Sequence, residues 1–574
     1  MTDKLRKSSP ATCLLAMLLL CGILASVRES QAGPTSSWSS PQSLSGWQPE
    51  IDNYNYYLEL GADGTQAAFW VTGNPYNNPW AIWARTRKFG QAWDQAESIS
   101  LGQPKLPDQL YWDRGVAPDG TVWVIYASKD TSISGDNMFL FVAWRQPEGS
   151  WQRAKLSKSP AGQVRDARLT ISQEGVLIVT WTESDSSSQP PFSLYAVMRY
   201  LELSGWEEPK RIDANWGNTK IRDVHPLIGP EGMAMVMWVE TKPGDPLRAG
   251  VFWRTKDPHT GNWSAIPAVP ISGWQLTNWF TLSEPAIGPD GNVVAAWRCN
   301  APNPVNIVNY SSTYMAGSST WSAAVPISTP RVGLGFPDLA LSQNGTTIAA
   351  WFCEDAAKYA ICVNVRDPGS TWEGEIVLSS WQKYPLDFDL GIWPDGGAMV
   401  VWDECDPNKP TGQKCNIHWN MRPPNGPWGA LGSGAIGDPV EYCSMGSLKL
   451  SHDHYAQTIW GVYDASQPPD LQGAVFASTW NPGGPWEAPT RISNWGDDVW
   501  VYSEGLVVAP DGLTVAALWE EDRKSAPSDQ VSYNQQIFLI PPEPSPTTEP
   551  PPTEPTPTEP SPTDKLIFLP LVMK

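Results

Sequence analysis

The chain has 574 residues, with 39 Lys and Arg against 60 Asp and Glu, a formal charge of −21, and 33 Trp. That much negative charge leaves no basic surface to neutralise a phosphate backbone, which excludes a nucleic-acid partner. Many Trp with only 17% charged residues exclude a disordered chain, and 56 Pro with 47 Gly exclude a helical bundle.

Residues 1–32 read as a secretory signal peptide. Lys4, Arg6 and Lys7 form the basic start, Cys13 to Val27 the apolar stretch, and Ser30-Gln31-Ala32 a small-x-small cleavage site. Cleavage removes four basic and two acidic groups, so the charge moves from −21 to −23. No later stretch is long and apolar enough to span a bilayer, so the mature chain is expected to be secreted or surface-associated, without a transmembrane span.

Residues 33–540 repeat one motif nine times. An acidic-Gly turn leads into an apolar run that ends in an aromatic residue: Asp63-Gly64 to Trp70, Asp119-Gly120 to Tyr126, Glu174-Gly175 to Trp181 and Glu231-Gly232 to Trp238. It continues with Asp290-Gly291 to Trp297, Asn344-Gly345 to Trp351, Asp395-Gly396 to Trp402, a degraded Asp453-His454 to Trp460, and Asp511-Gly512 to Trp519. The steps run from 51 to 59 residues, and a second series, Trp38, Trp93, Trp151, Trp206, Trp263, Trp321, Trp372, Trp428 and Trp486, keeps the same phase. Each unit reads as four short strands, the second buried on both faces and joined to the first by a tight turn. Four-stranded units of this length, stacked around an axis, are the blades of a β-propeller. The expected fold is all-β, a single propeller of about nine four-stranded blades, or eight if the degraded copy is an insertion. The chain starts on a fourth strand near Ser39 to Ser45 and ends on a third, Gln530 to Ile540, so an N-terminal strand is expected to close the ring.

One copy, Val365-Arg366-Asp367-Pro368-Gly369-Ser370-Thr371-Trp372, resembles the Asp-box (BNR repeat) of sialidase-like propellers, written S-x-D-x-G-x-T-W, with Val365 replacing the Ser. Other copies keep only the Gly and Trp. The resemblance implies a propeller in which the box is a folding element. It also implies that an active sialidase would need three arginines for a carboxylate, a Tyr-Glu nucleophile pair and an acid Asp. Arg114, Arg165, Arg168 and Arg222 are available, but only in blades two to four, and the family's N-terminal R-I-P-type motif is absent.

Six Cys follow the signal. Cys353 with Cys362 and Cys405 with Cys415 are short-range pairs across hairpins, and elimination leaves Cys299 with Cys443. Metal ligation is the alternative, disfavoured because no C-x-x-C spacing occurs.

Candidate ligand residues come from the face opposite the acidic-Gly turns. Trp47, Trp216, Trp274, Trp381 and Trp495 stand in loops read as leading into first strands, where exposed indoles suit sugar faces and buried ones would cap seams between blades. Acids after the second strand (Glu183, Asp185, Glu240, Glu354, Asp355, Asp403, Glu404, Asp406, Glu520, Glu521 and Asp522) read as mouth loops that hold hydroxyls or calcium in the family, or as solvated turns. The residue seven before each turn Gly varies and stays mostly polar: Tyr57, Asp113, Arg168, His225, Glu284, Asp338, Asp389, Ser447 and Gly505, with Asp166, Asp223 and Asp387 two residues earlier. A ring of unlike polar groups at the channel mouth suits a specific pocket, or a hydrated channel lining.

Residues 541–563 hold 11 Pro in 23 positions and read as a disordered stalk of ~70 Å in extended polyproline form. The tail, 564–574, is hydrophobic but too short to cross a membrane. The expected protein is an exported monomer that binds an extracellular ligand, a glycan first, at its rim and mouth. It needs no cofactor apart from any calcium held at those acids. The alternatives are a sialidase-like or other glycoside hydrolase, and a protein-binding or structural surface module.

Overall fold

The computed structural model describes residues 37–38, 42–45, 53–72, 81–100, 111–129, 138–157, 163–184, 192–200, 205–213, 219–267, 269–276, 280–300, 306–356, 358–381, 383–406, 408–409, 414–451, 453–463, 472–493, 498–500, 505–508, 514–522 and 530–537. The chain divides into two units, Ser36–Phe538 and a second drawn from 1–35 and 539–574. The segments read as signal peptide, stalk and tail fall in the second, outside the described residues.

Eight four-stranded antiparallel blades follow one another at 53–98, 112–155, 163–211, 221–276, 281–326, 338–377, 384–440 and 442–491. In blade five the first strand is split into Thr281–Leu282 and Ala286–Ile287, both paired with the second strand. Pro285, which has no N–H to give a ladder, stands in the gap. A further sheet joins both ends of the chain: Gln530–Ile537 lies beside Thr514–Asp522, with Ser37–Trp38 and Gln42–Ser43 paired along its other edge. It packs on blade eight through Ile459 and Val475 against Val515 and Trp519. On blade one it packs through Tyr56 and Leu58 against Ala516 and Leu518. The N-terminal strands thus close the ring.

The second strands explain why the blades stack. Thr65–Thr72 and Leu177–Ser184 are buried at every residue, as a strand covered on both faces must be. Each carries its aromatic at or past its midpoint (Trp70, Tyr126, Trp181, Trp238, Trp297, Trp351, Trp402, Trp460, Trp519), and none is more than 4% exposed. Across the ladder a ring on the third strand lies parallel: Tyr126 on Phe141, Trp181 on Tyr195, Trp238 on Phe252, Trp297 on Tyr310 and Trp460 on Phe476, with centroids 5.7–6.5 Å apart. Burying each indole contributes about 4–6 kcal/mol by area, and the stacking adds ~0.5–1.5 kcal/mol. In blade six the residue opposite Trp351 is Cys362, and the Cys353–Cys362 disulfide stands where the ring pair would be.

The acidic-Gly turns lie at the opposite end of the strands. Gly64, Gly120, Gly291, Gly345 and Gly396 take φ of +77° to +91°, and each donates its N–H to the carbonyl three residues back. The preceding acid or amide accepts the N–H two residues on, as Asp63 does from Thr65 at 2.8 Å. In blade eight His454 holds the same left-handed position at φ +63°. Asp367 of the Asp-box-like turn receives Thr346 Oγ1 at 3.3 Å and Arg422 Nη2 of blade seven at 3.4 Å, a bond between blades.

Cys353–Cys362 and Cys405–Cys415 are disulfides, but Cys299 and Cys443 are free and buried. Elimination fails for a physical reason. Cys299 lies on the second strand of blade five and Cys443 on the first strand of blade eight, in separate core clusters with two blades between them. A disulfide needs Cα atoms within ~7 Å.

Two measurements follow from this frame. An alanine Cβ at Gly120 would strike the Asp63 carboxylate and Thr65 Oγ1, whereas one at Gly90 meets nothing within 4 Å, although both hold φ near +80°. Gly90→Ala should cost ~1–2 kcal/mol for its left-handed backbone, and Gly120→Ala a further ~1–3 kcal/mol for the clash, read by denaturant melts. Alkylation of the unfolded, unreduced protein should label Cys299 and Cys443 and spare the other four Cys of residues 299–443. Burial pushes the Cys299 thiol up to about 12, so the folded protein should resist the reagent.

Candidate functional site

The first strands ring the axis, and residues from their middle and turn-side halves form the site. Tyr57, Asp113, Arg168, His225 and Glu284, which are five of the nine varied positions, line one cavity of about 560 Å³ together with Trp112, Arg114 and Lys449. The local backbone explains how they are aimed. In blades one, three and four the register slips just before this position, between Tyr54 and Tyr57, Arg165 and Arg168, and Arg222 and His225. A bulge turns the next side chain out of the pleat. Asp166 and Asp223 occupy the bulges at φ +49° and +50°, a left-handed conformation that Asp tolerates better than most residues.

Some of the ring also ties neighbouring blades together. Asp113 accepts the Leu169 N–H of blade three at 2.8 Å, Asp389 the Leu448 N–H of blade eight at 2.8 Å, and Asp223 the Leu282 N–H of blade five at 3.2 Å. Ser447 leans on Asp389 at 3.5 Å. All three carboxylates are structural stitches, and Asp113 also lines the cavity.

The mouth is divided by charge. On one side the Arg114 guanidinium lies 3.3 Å over the Tyr57 ring and 3.2 Å from Glu59, beside Asp113. Arg168 is exposed to the cavity and has no hydrogen-bond or ion-pair partner among the described residues, yet its charge reaches Asp113, Asp166 and His225. Burial, then Arg168, pulls His225 down to about 4, so the imidazole is neutral near neutral pH, and its buried Nε2 finds no partner. On the other side burial, then Asp389, Asp387 and Glu284, push Asp338 up to about 6. Burial likewise raises Asp113, Asp166, Asp223 and Asp389.

The other expectations fare differently. Trp47, Trp216 and Trp495 lie outside the described residues. Trp274 precedes a fourth strand, Gln275–Leu276, rather than a first, and tilts against Phe252 at 5.6 Å. Trp381 packs on the core of blade six with the Arg331 guanidinium 5.2 Å from its ring. Both are half-buried seam packing. Glu183, Glu240, Asp403 and Glu404 are not in mouth loops but at the ends of second strands, buried to 5% exposure or less. Trp181, Trp238 and Trp402 each donate an indole N–H to the Glu two residues on, at 3.0, 3.0 and 3.2 Å. No group of three His, Cys, Asp or Glu among the described residues is placed to hold a metal ion, so the calcium expectation finds no site there. Sequence reasoning passed over Lys449 and Glu59, each five residues before its turn residue and two beyond the ring it identified.

The chain is an all-β propeller with one asymmetric polar cavity on its axis. No family model matches it, and no curated protein does. Solved structures that resemble it include an ulvan lyase, from a polysaccharide lyase family, at 10% identity and a TM-score of 0.39, covering 65% of this chain and 92% of that one. A second polysaccharide lyase has 8% identity and a TM-score of 0.38, over 79% and 94%. A puromycin hydrolase has 12% identity and a TM-score of 0.36, over 75% and 64%. Two are polysaccharide lyases and one is a hydrolase, and likeness at this level assigns neither chemistry to this chain.

The divided mouth has a signature in stability. An Asp338 raised from 3.8 to about 6 contributes stability below its ordinary value and loses it as pH rises through about 6. His225, lowered from 6.5 to about 4, does the reverse: its contribution is present above 6.5 and lost as pH falls through about 4. Asp338→Asn should therefore flatten the loss on the rising side and gain on the parent at neutral pH, and His225→Gln should do so on the falling side. Denaturant melts across pH read both.

Proposed function

We propose that the protein is an exported propeller that binds an extracellular saccharide in its axial cavity, with an anionic group of the ligand against Arg168. One observation carries this reading. Five consecutive blades place unlike side chains around a single cavity, among them Arg168, which has no hydrogen-bond or ion-pair partner among the described residues, and the carboxylates of Glu59, Asp113 and Glu284. A hydrated lining has no need of such asymmetry. A guanidinium with open donors suits a carboxylate or sulfate, the neutral His225 adds a polar atom without competing charge, and the Tyr57–Trp112 pair, edge to face at 5.2 Å, supplies an apolar wall. The two disulfides fit an exported chain.

A second reading, a glycoside hydrolase, is favoured by Asp338. Its carboxyl keeps a proton closer to neutral pH than usual, as a general acid must, and Glu284 is near enough to contribute to the shift. A sialidase-like set of converging arginines is less well supported. Arg114 is taken up by Glu59 and Tyr57, Arg165 lies 4.9 Å from the Phe192 ring, and Arg222 pairs with Asp223 at 3.4 Å.

The test is a glycan array on the mature protein, followed by titration calorimetry. Arg168→Ala should weaken an acidic ligand roughly ten- to hundredfold, the scale of one desolvated charged hydrogen bond, and Arg168→Lys should weaken it less. An unchanged affinity in Arg168→Ala removes the cavity reading. Release of a new reducing end from the bound glycan, lost in Asp338→Asn, would favour the hydrolase over the binder.

A further inference from the structure

The end of the third strand, on the face of the acidic-Gly turns, carries a basic residue in six blades. Lys88, Arg145, Arg199, Lys256, Arg366 and Arg422 each close their strand opposite the first residue of the second. Four of them are ion-paired: Lys88 with Asp63, Arg145 with Asp94 at 2.5 Å, Lys256 with Glu207, and Arg422 with Asp367 at 3.4 Å. The charge of Asp119 reaches the fifth, Arg199. Arg366 is the exception. Burial alone pulls its guanidinium down, and no ion pair holds it among the described residues. Its hydrogen bonds go to two hydroxyls, Thr313 of blade five and Thr347 of its own blade, the second at 3.2 Å. Three of the five N–H donors of the guanidinium stay open. A half-buried cation left in this state is costly.

The sequence accounts for the missing acid. Asp94 and Glu207 belong to the preceding blade, where each directly follows the landmark Trp, Trp93 or Trp206. In blade five the landmark is Trp321 and the next residue is Ser322, whose hydroxyl accepts the Thr313 N–H at 3.0 Å. Ser322, Thr313 and Arg366 together line a cavity of about 620 Å³ between blades five and six. Its apolar lining comes from Val294, Met315, Trp321, Leu341 and Pro368, and Met315 is 57% exposed. The two acids on it are engaged elsewhere: Asp290 accepts the Asn292 N–H of its own turn at 3.0 Å, and Asp367 pairs with Arg422. An open guanidinium beside apolar walls suits a ligand with one acid group and an apolar body. We propose that this cavity binds a small apolar carboxylate, its acid group against Arg366 in the role that Asp94 and Glu207 fill for their own partners, and its apolar body against Trp321 and Met315. The site shares no lining residue with the axial cavity and does not depend on the saccharide reading.

Titration calorimetry on the mature protein tests it with naphthylacetate and naphthylacetamide, which share a shape and differ in charge. The carboxylate should bind roughly tenfold more tightly than the amide. Arg366→Gln should erase the difference, and Arg366→Lys should keep part of it. Ser322→Asp supplies the acid that blades one and three already have after their landmark Trp. It should weaken the carboxylate roughly tenfold and leave the amide unchanged. That variant keeps Arg366 in place, so it separates a filled site from a lost contact between blades. Equal binding of the two probes by the parent, binding of neither, or a carboxylate preference that survives both Arg366→Gln and Ser322→Asp overturns the proposal. A preference lost in Arg168→Ala but kept in Arg366→Gln puts the probe in the axial cavity and overturns it as well.

Discussion

The structure depends on one cross-strand contact, the flat packing of the second-strand aromatic on a ring of the third strand in blades two, three, four, five, seven and eight. It fills the widening space between blades away from the axis, where aliphatic side chains would leave voids. The indole N–H brings a polar cost into that core, and the chain meets it in blades three, four and seven with a Glu two residues on. The strand period of two places that carboxylate on the same face as the ring. The same contact makes the Trp count a signature of the scaffold and not of the ligand.

The axis works under another constraint. Inner strands converge there, and a first-strand residue can both hold the neighbouring strand and face the channel. Asp113 does both, so replacing it changes a blade-to-blade bond together with the lining. Arg168 and His225 carry less of that structural duty, and so the ligand chemistry concentrates in blades three and four. Acids gather on blades five to seven, where Glu284, Asp387 and Asp389 reach Asp338, while blade eight brings Lys449 to the cavity.

Much of this was legible in the sequence, and what escaped did so for identifiable reasons. The repeat, the turn glycines and both short disulfides follow from local spacing, which a strand preserves. The varied position seven before the turn glycine located the cavity, because the framework residues around it recur and make its variation visible. Cys299 and Cys443 were paired by arithmetic, which ignores that blades five and eight cannot touch. Trp274 and Trp381 pack in seams, the second of the two readings open to them, because a ring on a rim and a ring in a seam occupy similar sequence contexts and only burial separates them. The W-x-E pattern at Trp181, Trp238 and Trp402 was visible as a signal for buried carboxylates and was taken for a loop feature.

The sheet that closes the ring governs how the molecule is made. Ser37 pairs with Ile537 across nearly the whole length of the chain, a contact that would rank among the slowest to form in an open coil. The intervening blades remove most of that delay, since each can form from its own fifty-odd residues and shortens the path between the ends. Closure is then the last event, and until the final strand leaves the ribosome the N-terminal strand has no partner. A chain exported while still unfinished must therefore keep blade one and the last sheet open to solvent, and these two edges are where a chaperone would be needed and where a stalled molecule would aggregate first.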